Sequence, residues 1–162
     1  MSAELSSRIK QHLLDSIEHM KSIRTCILNE KEALQDRDPD KIEAIAQEKS
    51  LLLEKIVADV DVRNAILAGA GFSSDESGMD HLIESLPENY ARVLIKGWQQ
   101  LISLHEEVQE LNQANGMIVN RGLQQVDTML GVIQSGTGAR SAQTYNAKGR
   151  STAPSTRTLG QA

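Results

Sequence analysis

Apolar residues recur along this chain at helical spacing and not at strand spacing. Leu13, Met20, Ile27 and Leu34 stand seven residues apart, and Leu5, Ile9, Ile17 and Ile23 fill the adjoining positions. Polar residues hold the other faces and no proline or glycine interrupts, so the pattern predicts a first helix over residues 2–35. The run Asp36-Arg37-Asp38-Pro39-Asp40 stops it. Asp38 suits an N-cap, and Pro39 suits the first position of a second helix, where its missing N–H costs nothing. That second helix extends over 39–68. Ile42, Ile45, Leu52, Leu53, Ile56, Val60 and Leu67 face a partner, and Gly69 and Gly71 end it. So short a link makes the first two helices antiparallel neighbours.

A polar loop over 72–78 leads into a short helix over 79–85, whose apolar side is Met79, Leu82, Ile83 and Leu86. Pro87 reads as the first position of a third long helix that persists to about Gln134. Leu94, Leu101, Val108 and Met129 share one seven-residue register, and Leu104, Leu111, Ile118 and Val132 share its companion. Asn115 and Gly122 occupy two core-register positions. An asparagine there fixes register at some cost in stability. Lys49 falls on the seam of the second helix, from which it can snorkel outward. At 1.5 Å per residue the three long helices measure roughly 50, 45 and 70 Å. An up-down-up bundle therefore leaves part of the third helix uncovered. Ile118, Val119, Leu123, Val126, Met129, Leu130 and Ile133 make one broad apolar face there. Fully burying each contributes about 1.5–3 kcal/mol, so a bare face of this kind marks a groove for a partner helix.

The expectation is an all-α fold: an elongated antiparallel bundle of three long helices with coiled-coil-like packing over residues 1–134, followed by a disordered tail over 135–162. Charge separates the two parts. Residues 1–130 carry all 22 acids and 13 of the 17 Lys and Arg, a balance of −9, whereas residues 131–162 carry Arg140, Lys148, Arg150 and Arg157 and no acid. The tail holds nine Ser or Thr and, after Ile133, only Tyr145 and Leu159 as large apolar residues, too few to offset the entropy of ordering. Tyr145 thus has little to pack on within its own segment and reads as a docking residue, with Lys148 and Arg150 adding attraction to an acidic surface.

With 2% aromatic residues, the composition argues against a sandwich or barrel and against base-stacking on single strands. The net charge of −5 points away from nucleic acid. No basic n-region precedes an apolar run at the start, and no apolar run approaches the ~18 residues of a membrane span, so the expected setting is the cytoplasm, without membrane insertion. The single cysteine, Cys26, makes no internal disulfide and reads as a small buried hydrophobe. His12 and His19 stand seven apart, and no Glu-x-x-His, His-Glu-x-x-His or phosphate-binding glycine loop occurs. Glu106, Glu107 and Glu110 read as a solvated helix face. No catalytic residue, cofactor or metal is expected.

The stretches 28–34, 38–42, 49–52, 112–116 and 145–149, taken in their order and spacing, resemble the FlgN family of flagellar export chaperones. Leu28-Asn29-Glu30-Lys31-Glu32-Ala33-Leu34, then Asp38-Pro39-Asp40-Lys41-Ile42, then Lys49-Ser50-Leu51-Leu52 are similar to the family's Glu–Ala–Leu stretch, acidic turn and Lys–Leu pair. Arg63 falls where the family often has an arginine. Asn112-Gln113-Ala114-Asn115-Gly116 resembles the paired asparagines of its third helix, and Tyr145-Asn146-Ala147-Lys148-Gly149 its tyrosine-and-glycine element. The Ser/Thr-rich segment past Gly149 departs from the pattern.

The resemblance implies a cytoplasmic chaperone of the flagellar type III export system. Such a protein binds C-terminal helical segments of hook-filament junction (hook-associated) proteins and delivers them to the export gate and its ATPase complex. Tyr145 would dock on the gate. The chaperone would be a monomer or a weak homodimer. The rival reading from the residues alone is a structural coiled-coil oligomer or adaptor subunit that covers its apolar face by self-association.

Overall fold

The computed structural model describes the backbone of residues 2–137, 144–145 and 151–152 and the side chains of residues 3–134. Four helices account for the first of these stretches: α1 (Ser2–Asp36), α2 (Pro39–Ala70), α3 (Glu76–Glu84) and α4 (Glu88–Thr137). Two short strands, β1 (Thr144–Tyr145) and β2 (Ser151–Thr152), pair antiparallel. The disordered tail is expected from residue 135, whereas α4 continues to Thr137; apart from the β1–β2 pairing, the rest of that tail lies outside the described residues. The chain divides into two units, Met1–Ile118 and Val119–Ala162.

Local chemistry sets the helix ends. Arg37 adopts a left-handed φ of 53° and closes α1, with the Asp38 amide donating to the Ala33 carbonyl at 3.2 Å. The Asp38 carboxylate then accepts the Lys41 amide at 3.1 Å and caps α2, which Pro39 opens as expected. Gly71 ends α2 at φ 81°, and the Phe72 amide donates back to the Leu67 carbonyl at 2.9 Å. Gly69, expected to share that role, lies inside the helix because one left-handed residue suffices.

Among the described residues the three long helices are joined by the expected short one, and α3 starts three residues earlier than its apolar pattern. The reason is a cap that hydrophobic spacing cannot register. Asp75 accepts the Gly78 amide at 2.7 Å and the Ser73 hydroxyl at 2.8 Å. Those two donors, the amide foremost, hold its carboxyl below the usual carboxylate range. Pro87 stands one residue before α4 rather than within it, and its carbonyl accepts the Tyr90 and Ala91 amides at 2.9 and 3.0 Å.

Within Met1–Ile118, cross-helix contacts give each helix its direction. His19 meets Asp59 and Cys26 meets Ile45, so α1 and α2 are antiparallel. Arg24 meets Glu107 and Ile27 meets Asn115, so α4 runs with α1 in this unit. The core joins Ile9, Leu13, Ile17, Met20, Ile23 and Ile27 of α1 to Leu94, Trp98, Leu101 and Leu104 of α4, and Met79, Leu82 and Ile83 of α3 are fully buried in it. The expectation for α2 needs correction. Only Ile66 and Leu67 are buried, Ile42, Ile45, Leu52 and Ile56 are half-buried, and Leu53 and Val60 are exposed. Its apolar positions spread over a wider arc than its neighbours cover.

Candidate functional site

The residues expected to bind a partner helix fall on α4. Ile118 is half-buried and belongs to the first unit. Val119, Leu123, Val126, Met129, Leu130 and Ile133 are all exposed, from 44% at Val119 to 64% at Met129. The steps 119, 123, 126, 130 and 133 alternate between four and three residues, which places their side chains along a single helix face. Arg121 and Asp127 are the only charges between 119 and 134. Monomeric proteins seldom expose contiguous apolar rows, and those that do use them for binding. Thr128 returns its hydroxyl proton to the Gln124 carbonyl at 2.9 Å and so satisfies itself within the helix. The side chain of Tyr145, the expected docking residue, lies outside the described residues.

Two further constellations lie inside the first unit. In one, Lys49 of α2 donates to both Glu30 oxygens at 3.2 and 3.0 Å and to the Asn112 side-chain oxygen at 2.6 Å. The Asn115 amide nitrogen donates to the Ile27 carbonyl at 2.8 Å and to Glu30 at 2.9 Å. Four polar side chains thus tie α1, α2 and α4 at one level. Asn115 stands on the core register as expected, whereas Lys49 bonds inward to Glu30 instead of reaching for water. Spacing within one helix cannot show such a partner, because Glu30 lies on a different helix.

The other is a cleft of about 480 Å3 between α2 and α4, with Ile56, Asp59, Val60 and Arg63 on one wall and Ile102 and His105 on the other. His12 of α1 also lines it and is 7% exposed. Burial pushes the His12 pKa below its ordinary value, and the Arg63 charge adds to this against the opposing pull of Asp59 and Asp15. Arg63 lies over the Trp98 ring, 5.7 Å from its centroid, and Trp98 is pinned by a 3.0 Å hydrogen bond to Asp80. The Arg63 Nε is buried and has no hydrogen-bond acceptor. Asp59 is engaged by His19 at 2.7 Å. Cys26 is buried against the Ile45 carbonyl, and burial, followed by Glu48 and Glu30, pushes its thiol pKa up, so it is a poor nucleophile. Among the described residues no group of three His, Cys, Asp or Glu side chains could hold a metal ion, and no described helix is long and apolar enough to cross a membrane.

Over residues 2–137 the chain is helical, and the last of its helices presents an apolar face to solvent. The family model described as FlgN protein matches residues 1–153, and the chain belongs to the FlgN family. A crystal structure from Pseudomonas aeruginosa, described as a "putative flagella synthesis protein flgn", has a similar fold, with a TM-score of 0.61. It is 23% identical, and the match covers 69% of this chain and 86% of that one. No curated protein matches the chain.

Proposed function

We propose that this chain is a cytoplasmic, non-catalytic export chaperone of the flagellar type III system. It binds the C-terminal helical segments of hook-filament junction proteins and delivers them to the export gate and its ATPase complex. The observation that carries this reading is the exposed row Val119, Leu123, Val126, Met129 and Leu130 on α4, in a chain of the FlgN family. A client helix laid along that row removes apolar surface from water on both partners, a gross gain of about 25 cal/mol per Å2 set against the cost of immobilising the two partners. In this reading the first unit, packed in the manner of a coiled coil, is a stiff frame that keeps the face in helical form before a client arrives. Pre-formed structure lowers the ordering cost of binding. Tyr145 is the gate-docking residue, so Tyr145→Ala impairs export and leaves client binding intact. The test is affinity capture from flagellated cells with the full chain as bait. Junction proteins must be recovered, and recovery must fall when Val126 is changed to Asp. Capture of no junction protein overturns the reading.

A further inference from the structure

In the cleft between α2 and α4 the Arg63 charge rests on the Trp98 ring and has no ion-pair partner among the described residues. The guanidinium of Arg63 is always protonated. No carboxylate among the described residues pairs with it, and its buried Nε has no acceptor. Asp59, one turn back on the same helix, is turned to His19. The position of Arg63 is nonetheless set, since its planar face lies over Trp98 and Trp98 is held by Asp80. The buried Nε is out of a ligand's reach, but the two terminal nitrogens form no ion pair among the described residues, and a guanidinium held in place in this way can offer both to one carboxylate as parallel N–H bonds.

The surroundings narrow the ligand further. Three acids line the cleft, Asp59 held by His19 and the exposed Glu76 and Glu106. They disfavour phosphates and other polyanions, but tolerate a single carboxylate seated on Arg63. Met20, Ile56, Val60, Leu101 and Ile102 supply apolar walls around the charge. Along α4 the lining runs from Trp98 to Gln109, about 16 Å or three helical turns. We propose that this cleft is a second binding site, separate from the α4 apolar row, for a partner protein's helix that places one Asp or Glu on Arg63 and its neighbouring apolar residues on Ile56, Val60 and Ile102. The mode is a helix in a groove with one charged anchor.

The experiment pans a phage-displayed library of helical peptides on the full chain carrying Val126→Asp, which silences the α4 row, with Arg63→Gln protein as the counter-selection. The expected winners share one acidic residue flanked by apolar residues at helical spacing. Synthetic winners are then titrated by fluorescence anisotropy. Binding should fall tenfold or more when Arg63 becomes Gln. It should fall equally when the peptide's acid becomes its amide, and the two losses should not add. Arg63→Lys should give an intermediate loss, because lysine keeps the charge without the planar fork. Winners without a shared acid overturn the proposal, as do winners that bind Arg63→Gln protein equally well. Should Arg63→Gln fail to fold by circular dichroism, the acid-to-amide change in the peptide decides the matter on protein with Arg63 intact.

Discussion

Replacing Lys49 by Met removes one charge and leaves the shape nearly unchanged. Glu30 then keeps only the Asn115 amide at 2.9 Å, and Asn112 loses its 2.6 Å donor. The side chains of Lys49 and Glu30 are 19% and 18% exposed, so the pair lies between two known regimes. Breaking a fully buried pair costs about 3–5 kcal/mol, and an exposed pair contributes about 0–1 kcal/mol. The expected loss for Lys49→Met is about 2 kcal/mol. For a unit of this size it corresponds to a fall in melting temperature of roughly 5–10 °C. Urea unfolding followed by circular dichroism at 222 nm measures it as a lower midpoint with an unchanged slope. Glu30→Gln alone should cost about 1 kcal/mol, since it keeps one acceptor oxygen. The double variant should be more stable than the sum of the two losses by about 1 kcal/mol, because neither change then strands a charge. An unaltered midpoint in Lys49→Met, or strict additivity in the double variant, would refute the claim that this cluster ties the three helices.

Two glycines of similar appearance should behave oppositely, since a Cβ at Gly78 would stand 1.8 Å from the Ser73 carbonyl oxygen and one at Gly69 meets nothing within 4 Å. Gly78→Ala is expected to destabilise by about 1–3 kcal/mol and Gly69→Ala to stabilise by roughly 0.5–1 kcal/mol, both read from thermal melts. His12 has a lowered pKa in the fold, so the unfolded chain binds more protons near its ordinary value of about 6.5; stability is full above that pH and declines as pH falls through it. Urea midpoints taken between pH 7.5 and 5.5 should show that decline, and it should be shallower in His12→Gln.

How much of this was legible in the sequence depended on whether the signal lay within one helix. The long helices, the Asp38-Pro39 start and the Gly71 stop were legible, because each is a local matter of spacing or backbone conformation. The exposed row from Val119 to Leu130 was legible too, from the mismatch of helix lengths. The Asp75 cap was missed because no apolar residue marks it. Lys49 was assigned to water because its partner Glu30 lies 19 residues away on another helix. The cleft was missed for the same reason. Arg63 stands out in the sequence, yet only folding brings α2 against α4, seats the guanidinium on Trp98 and leaves it without an ion-pair partner among the described residues.

The most direct test of the central claim is an isothermal titration of the full chain with the C-terminal helical segment of a hook-filament junction protein, set beside Val126→Asp and Met129→Asp. Both residues are more than half exposed, so the substitutions should leave the melting temperature within a degree or two. Each also places a charge where the client must bury apolar surface, so affinity should fall tenfold or more in each. Equal affinity in folded variants and wild type would contradict the account and move the client site off α4.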